Sequence, residues 1–134
     1  MAREITQEEF RKMLPLICDA ETSADPDGWT PENPVWGHCA VVSLLAQDFF
    51  GGTLLRASLK ETLFKAAGSH YWNKLEDGTE VDFTAPQFGN QYPVNLSSET
   101  RERAHVLLHP QTKRRYELLA LRVRKTLNEL RRQS

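Results

Sequence analysis

Apolar residues near the N-terminus recur at the spacing of one helical face. Thr6 precedes this stripe and Glu9 follows three residues later, which is the pattern of a capping box at a helix N-terminus. Pro15 falls inside the stripe and lacks a backbone N–H, so we expect a kink or a break there. The stripe consists of Phe10, Met13, Leu14 and Ile17.

A second apolar run, from Cys39 to Phe50, predicts a buried helix that ends at the glycine pair Gly51-Gly52. The preceding segment, 22–37, holds three prolines, two glycines and two tryptophans. It predicts a structured loop, and a loop of this length in a compact domain favours a functional role. After the glycines, residues 53–59 predict a strand, and residues 60–67 fit either a strand or a loop.

Residues 69–84 predict a β-hairpin around Asp77-Gly78. A two-residue turn would mix apolar and polar side chains on both faces. A three-residue loop over 76–78 sorts them, and because a slip of one residue moves every side chain to the other face, we favour this register. One face, predicted to be core, then holds Tyr71, Leu75, Val81 and Phe83. The other face holds His70, Trp72, Lys74, Asp82 and Thr84.

The last third of the chain predicts mainly helix. A short helical turn is expected at 84–88, a helix from about Ser98 to Leu108, and a last helix with Pro110 at its first position. The apolar face of that last helix comprises Tyr116, Leu119, Val123, Leu127 and Leu130. The order of elements predicts a single α+β domain over 1–134, with an N-terminal helix, a buried helix beginning at the cysteine, a small antiparallel sheet and C-terminal helices.

Composition changes this picture little. The 134 residues are 40% hydrophobic with a formal net charge of −1, as in an ordinary globular domain. No apolar run approaches the ~20 residues of a membrane span, and the N-terminus lacks a signal-peptide pattern. Two cysteines make no disulfide framework. We therefore expect a cytoplasmic protein without a membrane partner.

Charge is distributed unevenly along the chain. Residues 1–100 carry 7 basic and 15 acidic side chains, whereas residues 101–134 carry 10 basic and 3 acidic ones. A basic helix can bind nucleic acid or another anionic partner. These residues spread around the helix without interleaved aromatic residues, so a solvated outer face is favoured. The set is Arg114, Arg115, Arg122, Arg124, Lys125, Arg131 and Arg132.

Cys39 is the candidate nucleophile. At the first turn of a helix, free backbone N–H groups and the helix dipole favour thiolate over thiol, and the same N–H groups could hold an oxyanion. The favoured hairpin register places Asp82 diagonal to His70 on one face, close enough for a hydrogen bond. An imidazole base oriented by a carboxylate is what a cysteine nucleophile needs. Cys18, within an apolar pattern, is expected to be structural.

These residues also carry a resemblance to a known family. The stretches NPVWGHCAVVSLLAQDFFGG, GSHYWNKLEDGTEVDFT and KRRYELLALRV resemble the YunG-like family of bacterial proteins. More distantly, the chain is similar to the papain-like and transglutaminase-like superfamily, which includes NlpC/P60 hydrolases and arylamine N-acetyltransferases. The resemblance implies Cys39 as nucleophile, His70 as base and Asp82 as the group that orients the base. It implies no particular substrate.

Other residues are candidates for the cleft. Asn33 lies six residues before the cysteine, the offset at which papain-like enzymes place an oxyanion-hole glutamine, although before Pro34 it could equally be a turn residue. Trp36 and Trp72 could wall a cleft, with a core position the alternative for Trp72. His38 could contribute a polar group, although an exposed loop side chain is the favoured interpretation.

The predicted function is that of a cysteine-dependent hydrolase or acyltransferase acting on an acyl or amide substrate of unknown identity. The alternatives are a non-catalytic papain-like fold that binds a peptide or small molecule and, less favoured, the anionic-partner module. His38, Cys39, His70 and Asp82 are residue types that bind metals, and His105 and His109 have i, i+4 spacing. However, the chain has no Cys-x-x-Cys pair, and the His105 pair lacks the glutamate of a metalloprotease helix. We therefore expect neither a metal nor a cofactor. The oligomeric state stays open.

Overall fold

The computed structural model describes residues 5–133, which form an α+β fold with one antiparallel sheet. The helices are α1 (Gln7–Ile17), α2 (Cys39–Phe50), α3 (Arg103–Val106) and α4 (Pro110–Gln133). The strands are β1 (Thr53–Ser58), β2 (Ser69–Lys74), β3 (Glu80–Val81) and β4 (Ser98–Arg101), in the spatial order β3-β2-β1-β4. A 3₁₀ turn over Ala85–Phe88 follows the hairpin, as predicted.

Helix α1 begins with the predicted capping box. The Thr6 hydroxyl accepts a hydrogen bond from the Glu9 N–H at 3.0 Å, and the Glu9 carboxylate accepts one from the Thr6 N–H at 2.9 Å. A break at Pro15 was the wrong expectation, because the helix continues to Ile17. Proline removes only its own backbone donor here, and the next turn is held by the 3.0 Å bond from Cys18 N–H to Leu14 O.

Helix α2 packs against β2 on one side and α4 on the other. Its buried residues run without a break from Val41 to Ala46, which confirms the buried helix that the sequence predicted. Gly51 ends the helix with a φ of 74°, a left-handed conformation that suits glycine. The N-terminus of α2, which carries Cys39, lies beside the start of β2.

The hairpin has the three-residue loop register. Asn73 pairs with Val81 and Lys74 with Glu80, while Leu75 N–H donates to Thr79 O at 2.8 Å. Gly78 adopts a φ of 90°, as the third residue of such a loop requires. The register predicted from the sorting of faces is confirmed, which fixes the strand positions of the candidate residues on β2.

Residues 98–101 form a strand, not the start of the predicted helix. Strand β4 pairs with β1, with Leu55 opposite Thr100, and an ion pair of 3.3 Å joins Arg56 to Glu99. Pairing along β1 satisfies backbone groups that an edge strand would leave open, and this tertiary gain outweighs local helix propensity. Only the four residues Arg103–Val106 of the predicted helix are helical before α4.

The main core lies between α1, α2 and α4. Phe10 is fully buried at its centre, with the Phe83 ring 4.8 Å away between centroids. Along α4 the buried apolar face ends at Leu127, since Leu130 is 47% exposed. Cys18 is buried in the same core. Among residues 5–133, no helix combines the length and apolar character that crossing a membrane demands.

Candidate active site

Cys39 is the first residue of α2 and is partly exposed. His38, at the N-cap position, makes no side-chain hydrogen bond to the first turn. The N–H groups at the start of a helix have no acceptor within the helix itself. No side-chain cap therefore competes with a ligand for these N–H groups, which belong to the same first turn of the helix as Cys39.

His70 and Asp82 meet as the hairpin register requires. His70 Nε2 lies 2.6 Å from Asp82 Oδ2, and the His70 side chain is fully buried while that of Asp82 is 12% exposed. His70 belongs to β2, and Asp82 follows directly after β3. Their diagonal placement across two antiparallel strands brings the imidazole and the carboxylate into direct contact.

The imidazole of His70 is set up to carry a positive charge. Burial lowers its pKa, but the hydrogen bond to Asp82, the neighbouring Cys39 sulfur and the charges of both groups outweigh burial and raise the pKa to about 9. Its Nδ1 atom is buried and makes no hydrogen bond of regular geometry to another described residue. With Nε2 bonded to Asp82, Nδ1 is the ring nitrogen left for the thiol. Cys39 Sγ lies 4.0 Å from Ser69 O, beside His70.

Asp82 has two further partners that the sequence did not identify. The Tyr92 hydroxyl donates to Oδ2 at 2.6 Å, and the Thr84 N–H donates to Oδ1 at 3.1 Å. An Asp two residues before Thr84 is a recognisable Asx pattern that could have been noticed. Tyr92 lies in an irregular segment, and no local sequence signal links it to Asp82. Both donors fix the carboxylate against His70.

His38 occupies a different environment from the expected exposed loop. It is fully buried, with Nε2 2.7 Å from Thr22 Oγ1 and Nδ1 2.8 Å from Trp36 O. Burial lowers its pKa to about 4, so the imidazole is neutral at physiological pH. The side chain anchors the loop before Cys39 to the residues after α1, because Thr22 belongs to the 3₁₀ turn that follows that helix.

Asn33 holds the loop and does not line the cleft. Its Nδ2 donates to the Gln87 backbone carbonyl at 3.0 Å, a contact that matches the turn-residue alternative. Gln87 itself was missed. Its side-chain oxygen accepts from the Gly37 N–H at 3.2 Å, two residues before Cys39, and its amide donates to Thr84 Oγ1 at 3.0 Å. Gln87 thereby links the loop of Cys39 to the residues around Asp82.

The two tryptophans have separate positions. Trp36 lines the cleft, and its indole N–H donates to Asp25 Oδ2 at 3.0 Å. Trp72 is buried, stacks on the His70 ring at 5.5 Å between centroids, and donates to Glu80 Oε1 at 2.8 Å. Trp72 supports the imidazole from behind and lies outside the cleft lining.

A cleft of about 530 Å³ opens onto both Cys39 and His70. Its lining residues come from the loop before α2 and from the connection between β1 and β2. Gln87 and Phe88, from the turn after the hairpin, line it as well and are buried. Clefts of this size accommodate small organic ligands.

Residues outside this cleft carry other roles. Within the described part of the chain, no three His, Cys, Asp or Glu side chains converge in a way that could hold a metal ion. On α4, Arg122 pairs with Asp19 at 3.0 Å and with Glu21 at 3.1 Å. This member of the basic set therefore ties α4 to the segment after α1.

The chain is similar to a known protein family and to a curated bacterial relative. The profile of the family described as "YunG protein" matches residues 6–128. The relative is "Uncharacterized protein YunG" of Bacillus subtilis (strain 168), which is 34% identical over 76 residues. That alignment covers 57% of this chain and 60% of the relative, less than two thirds of its length. No solved structure matches.

Proposed function

The chain belongs to the YunG protein family, and we propose that it is a cysteine-dependent hydrolase or acyltransferase with a papain/transglutaminase-like arrangement. Cys39 is the nucleophile, His70 the proton carrier and Asp82 the residue that orients the imidazole. The substrate is an acyl or amide compound. The observation that carries this proposal is the placement of Cys39, at a helix start, beside an imidazole held by a carboxylate at 2.6 Å.

Two features of the arrangement favour catalysis over a structural role. A buried histidine is ordinarily neutral, yet the pKa of His70 is raised to about 9 by its contacts with Asp82 and Cys39, against the effect of burial. The ring, although buried, also lines a cleft that reaches the sulfur. Strongly perturbed groups in a cleft are typical of catalytic sites.

The first half-reaction forms a thioester. The Cys39 thiolate attacks the carbonyl carbon, and the Cys39 N–H at the start of α2 stabilises the oxyanion. The bond to the leaving group then breaks as the His70 imidazolium donates its proton to the departing nitrogen or oxygen. The products are an acyl-Cys39 thioester, a neutral imidazole and the free amine or alcohol.

The second half-reaction regenerates the Cys39 thiolate. Neutral His70 removes a proton from water, or from an acceptor amine or alcohol, as its oxygen or nitrogen attacks the thioester carbon. The C–S bond breaks with its electron pair on sulfur, which leaves the Cys39 thiolate beside the His70 imidazolium, the pair that began the cycle. Water gives a carboxylic acid and therefore a hydrolase, whereas an acceptor gives a transferase. Asp82 keeps the imidazole in one orientation through both steps.

The proposal is tested by incubating the protein with chromogenic aryl esters and aryl amides and following both product release and protein mass. We expect turnover and a transient acyl adduct on Cys39 in the wild type. Cys39→Ala should abolish both, and Cys18→Ala is the matched control, since Cys18 is buried away from the cleft. Equal turnover by wild type and Cys39→Ala would contradict the proposal. A wild type that binds ligand in the cleft without turnover would instead favour the non-catalytic alternative.

A further inference from the structure

The lining of the cleft beside Cys39 is mainly apolar. Its largest side chains are apolar and come from three separate parts of the chain, namely the loop before α2, the connection between β1 and β2, and the turn after the hairpin. They are Trp36, Leu59, Leu63, Phe64 and Phe88. A ligand bound here would bury apolar surface against most of the wall.

Charged groups are scarce in the same lining. Apart from the Cys39–His70 pair, Asp25 is the charged side chain among the described lining residues. Its carboxylate is already engaged, since Oδ2 accepts from Trp36 Nε1 at 3.0 Å and Oδ1 accepts from the Gly28 N–H at 3.3 Å. No lysine or arginine is among the described residues that line the cleft. Arg115 is close enough for the charge of Cys39 to act on its pKa, but it does not line the cleft. A carboxylate or phosphate on the ligand would therefore meet no cation in the lining besides the imidazolium.

The aromatic members form a continuous path to the reacting atoms. The ring of Phe64 lies 6.3 Å from that of Trp36 and 4.6 Å from that of Phe88. The Phe88 ring in turn meets the His70 imidazole edge-on at 4.9 Å. An apolar group packed along this path would lie next to the imidazole, which lines the same cleft as the Cys39 sulfur.

From these observations we infer that the acyl donor carries an uncharged apolar group, either an aromatic or branched aliphatic side chain or an acyl chain, which this wall recognises next to Cys39. The inference deepens the proposed function and rests on it. It disfavours donors whose recognised group is anionic. The volume of about 530 Å³ fits a group of several carbon atoms with the scissile bond.

The wall offers a substitution that leaves the buried structure intact. Leu63 lies at the rim and is 81% exposed, so Leu63→Asp adds a negative charge to the cleft without opening a cavity. Leu108, which is 75% exposed and does not line the cleft, supplies the matched control Leu108→Asp. Both variants carry the same change in net charge and in surface apolar area, and they differ in location.

The experiment uses peptidyl chloromethyl ketones that are identical except for the side chain next to the reactive carbon: phenylalanine, leucine, glycine, glutamate or lysine. The rate of Cys39 alkylation is measured by intact mass. We expect the phenylalanine and leucine probes to react roughly tenfold or more faster than the glycine probe, and the glutamate probe to be the slowest. Leu63→Asp should remove most of the apolar preference, and Leu108→Asp should retain it.

The outcomes separate the two proposals. Alkylation of Cys39 at equal rates by all probes, with ester turnover intact, would overturn the inference and leave the proposed function standing. Faster reaction of the glutamate or lysine probe would overturn it as well. Absence of ester turnover would contradict the proposed function itself. In that case the preference of the apolar lining is still measured by the binding of two ligands, N-acetyl-phenylalanine amide and N-acetyl-glutamate amide, to Cys39→Ala. Binding is followed by NMR chemical shifts. Equal affinity for the two ligands would overturn the inference.

Discussion

The Tyr92 hydroxyl and the His70 imidazole both donate to the same carboxylate oxygen, Asp82 Oδ2, each at 2.6 Å. Tyr92 also approaches the His70 ring edge-on, with 6.3 Å between centroids. Burial and the bond to Asp82 raise the pKa of Tyr92, so the phenol stays protonated and acts as a donor. Two donors that share one oxygen divide its negative charge, and Tyr92 therefore tempers the attraction between Asp82 and His70.

Removal of this hydroxyl is predicted to strengthen the remaining bond. In Tyr92→Phe the pKa of His70 should rise above its value of about 9, by about half a pKa unit, because Oδ2 then serves the imidazolium alone. The His70 ring signals are followed by NMR through a pH titration. A lowered pKa would show that Tyr92 acts chiefly by holding Asp82 in position. Tyr71→Phe is the control, since Tyr71 also lies on β2 but packs against the cluster of Leu44, Leu54 and Val106.

Neutralising the carboxylate has the opposite effect. In Asp82→Asn the pKa of His70 should fall from about 9 to below the ordinary 6.5, because burial then acts without its counter-charge. At neutral pH the imidazole becomes neutral, and turnover should drop by roughly a hundredfold or more, the scale of a lost proton-transfer catalyst. The same NMR titration gives the pKa, and ester assays give the rate. A pKa that stays near 9 would mean that Cys39 supplies most of the charge.

Sequence patterns correctly predicted the structural elements that depend on residues close together in the chain. The capping box at Thr6, the helix that begins at Cys39 and the hairpin register each follow from short-range rules of periodicity, capping or loop geometry. The register also brought His70 and Asp82 together, because strand pairing fixes which side chains share a face. The contact between His70 and Asp82 could therefore be predicted from the sequence without knowledge of the whole fold.

The features that the sequence did not predict depend on contacts between residues far apart in the chain. Residues 98–101 form a strand because they pair with β1, and no local sequence pattern predicts that pairing. Tyr92 reaches Asp82 across an irregular segment, and His38 is buried because Thr22 lies beside it. Each depends on how distant segments pack, which residue spacing along the chain does not report.

The two cysteines are predicted to differ sharply in reactivity. Burial raises the pKa of Cys18 to about 12, whereas Cys39 is partly exposed at the cleft. Iodoacetamide at pH 7.5 should therefore alkylate Cys39 at least about a hundredfold faster than Cys18. Peptide mass mapping over time distinguishes the two sites. Comparable rates in the folded protein would contradict this expectation, whereas the difference should disappear when the core is unfolded and Cys18 becomes exposed.

Stability should depend on pH through both buried histidines, in opposite directions. The folded pKa of His38, about 4, lies below the ordinary 6.5, so the unfolded chain binds the proton first and stability falls between pH 6.5 and pH 4. The folded pKa of His70, about 9, lies above 6.5, so its contribution is complete below pH 6.5 and is lost as pH rises through 9. Each histidine changes the free energy of unfolding by roughly 3 kcal/mol at most over its pH range, and these two ranges are the acid and alkaline limbs of the stability profile.

The free energy of unfolding from urea titrations should accordingly peak near pH 6.5. His38→Gln should flatten the acid limb and His70→Gln the alkaline one, each leaving the other limb unchanged. Direct NMR titration of the histidines in the wild type provides the same pKa values should either variant fail to fold. A monotonic pH profile with ordinary histidine pKa values would contradict the assignment.

Strand β3 is only two residues long and lies at the sheet edge, held to β2 by the pairs Asn73–Val81 and Lys74–Glu80. Short edge strands open by local unfolding at a small free-energy cost, well before the sheet as a whole. Asp82 directly follows this strand, so fraying of the edge would carry the carboxylate away from His70 while the imidazole stays buried. The protonation of His70, and with it the reactivity of Cys39, therefore depends on whether β3 is paired with β2. Amide hydrogen exchange at Val81 would measure how often this pairing opens.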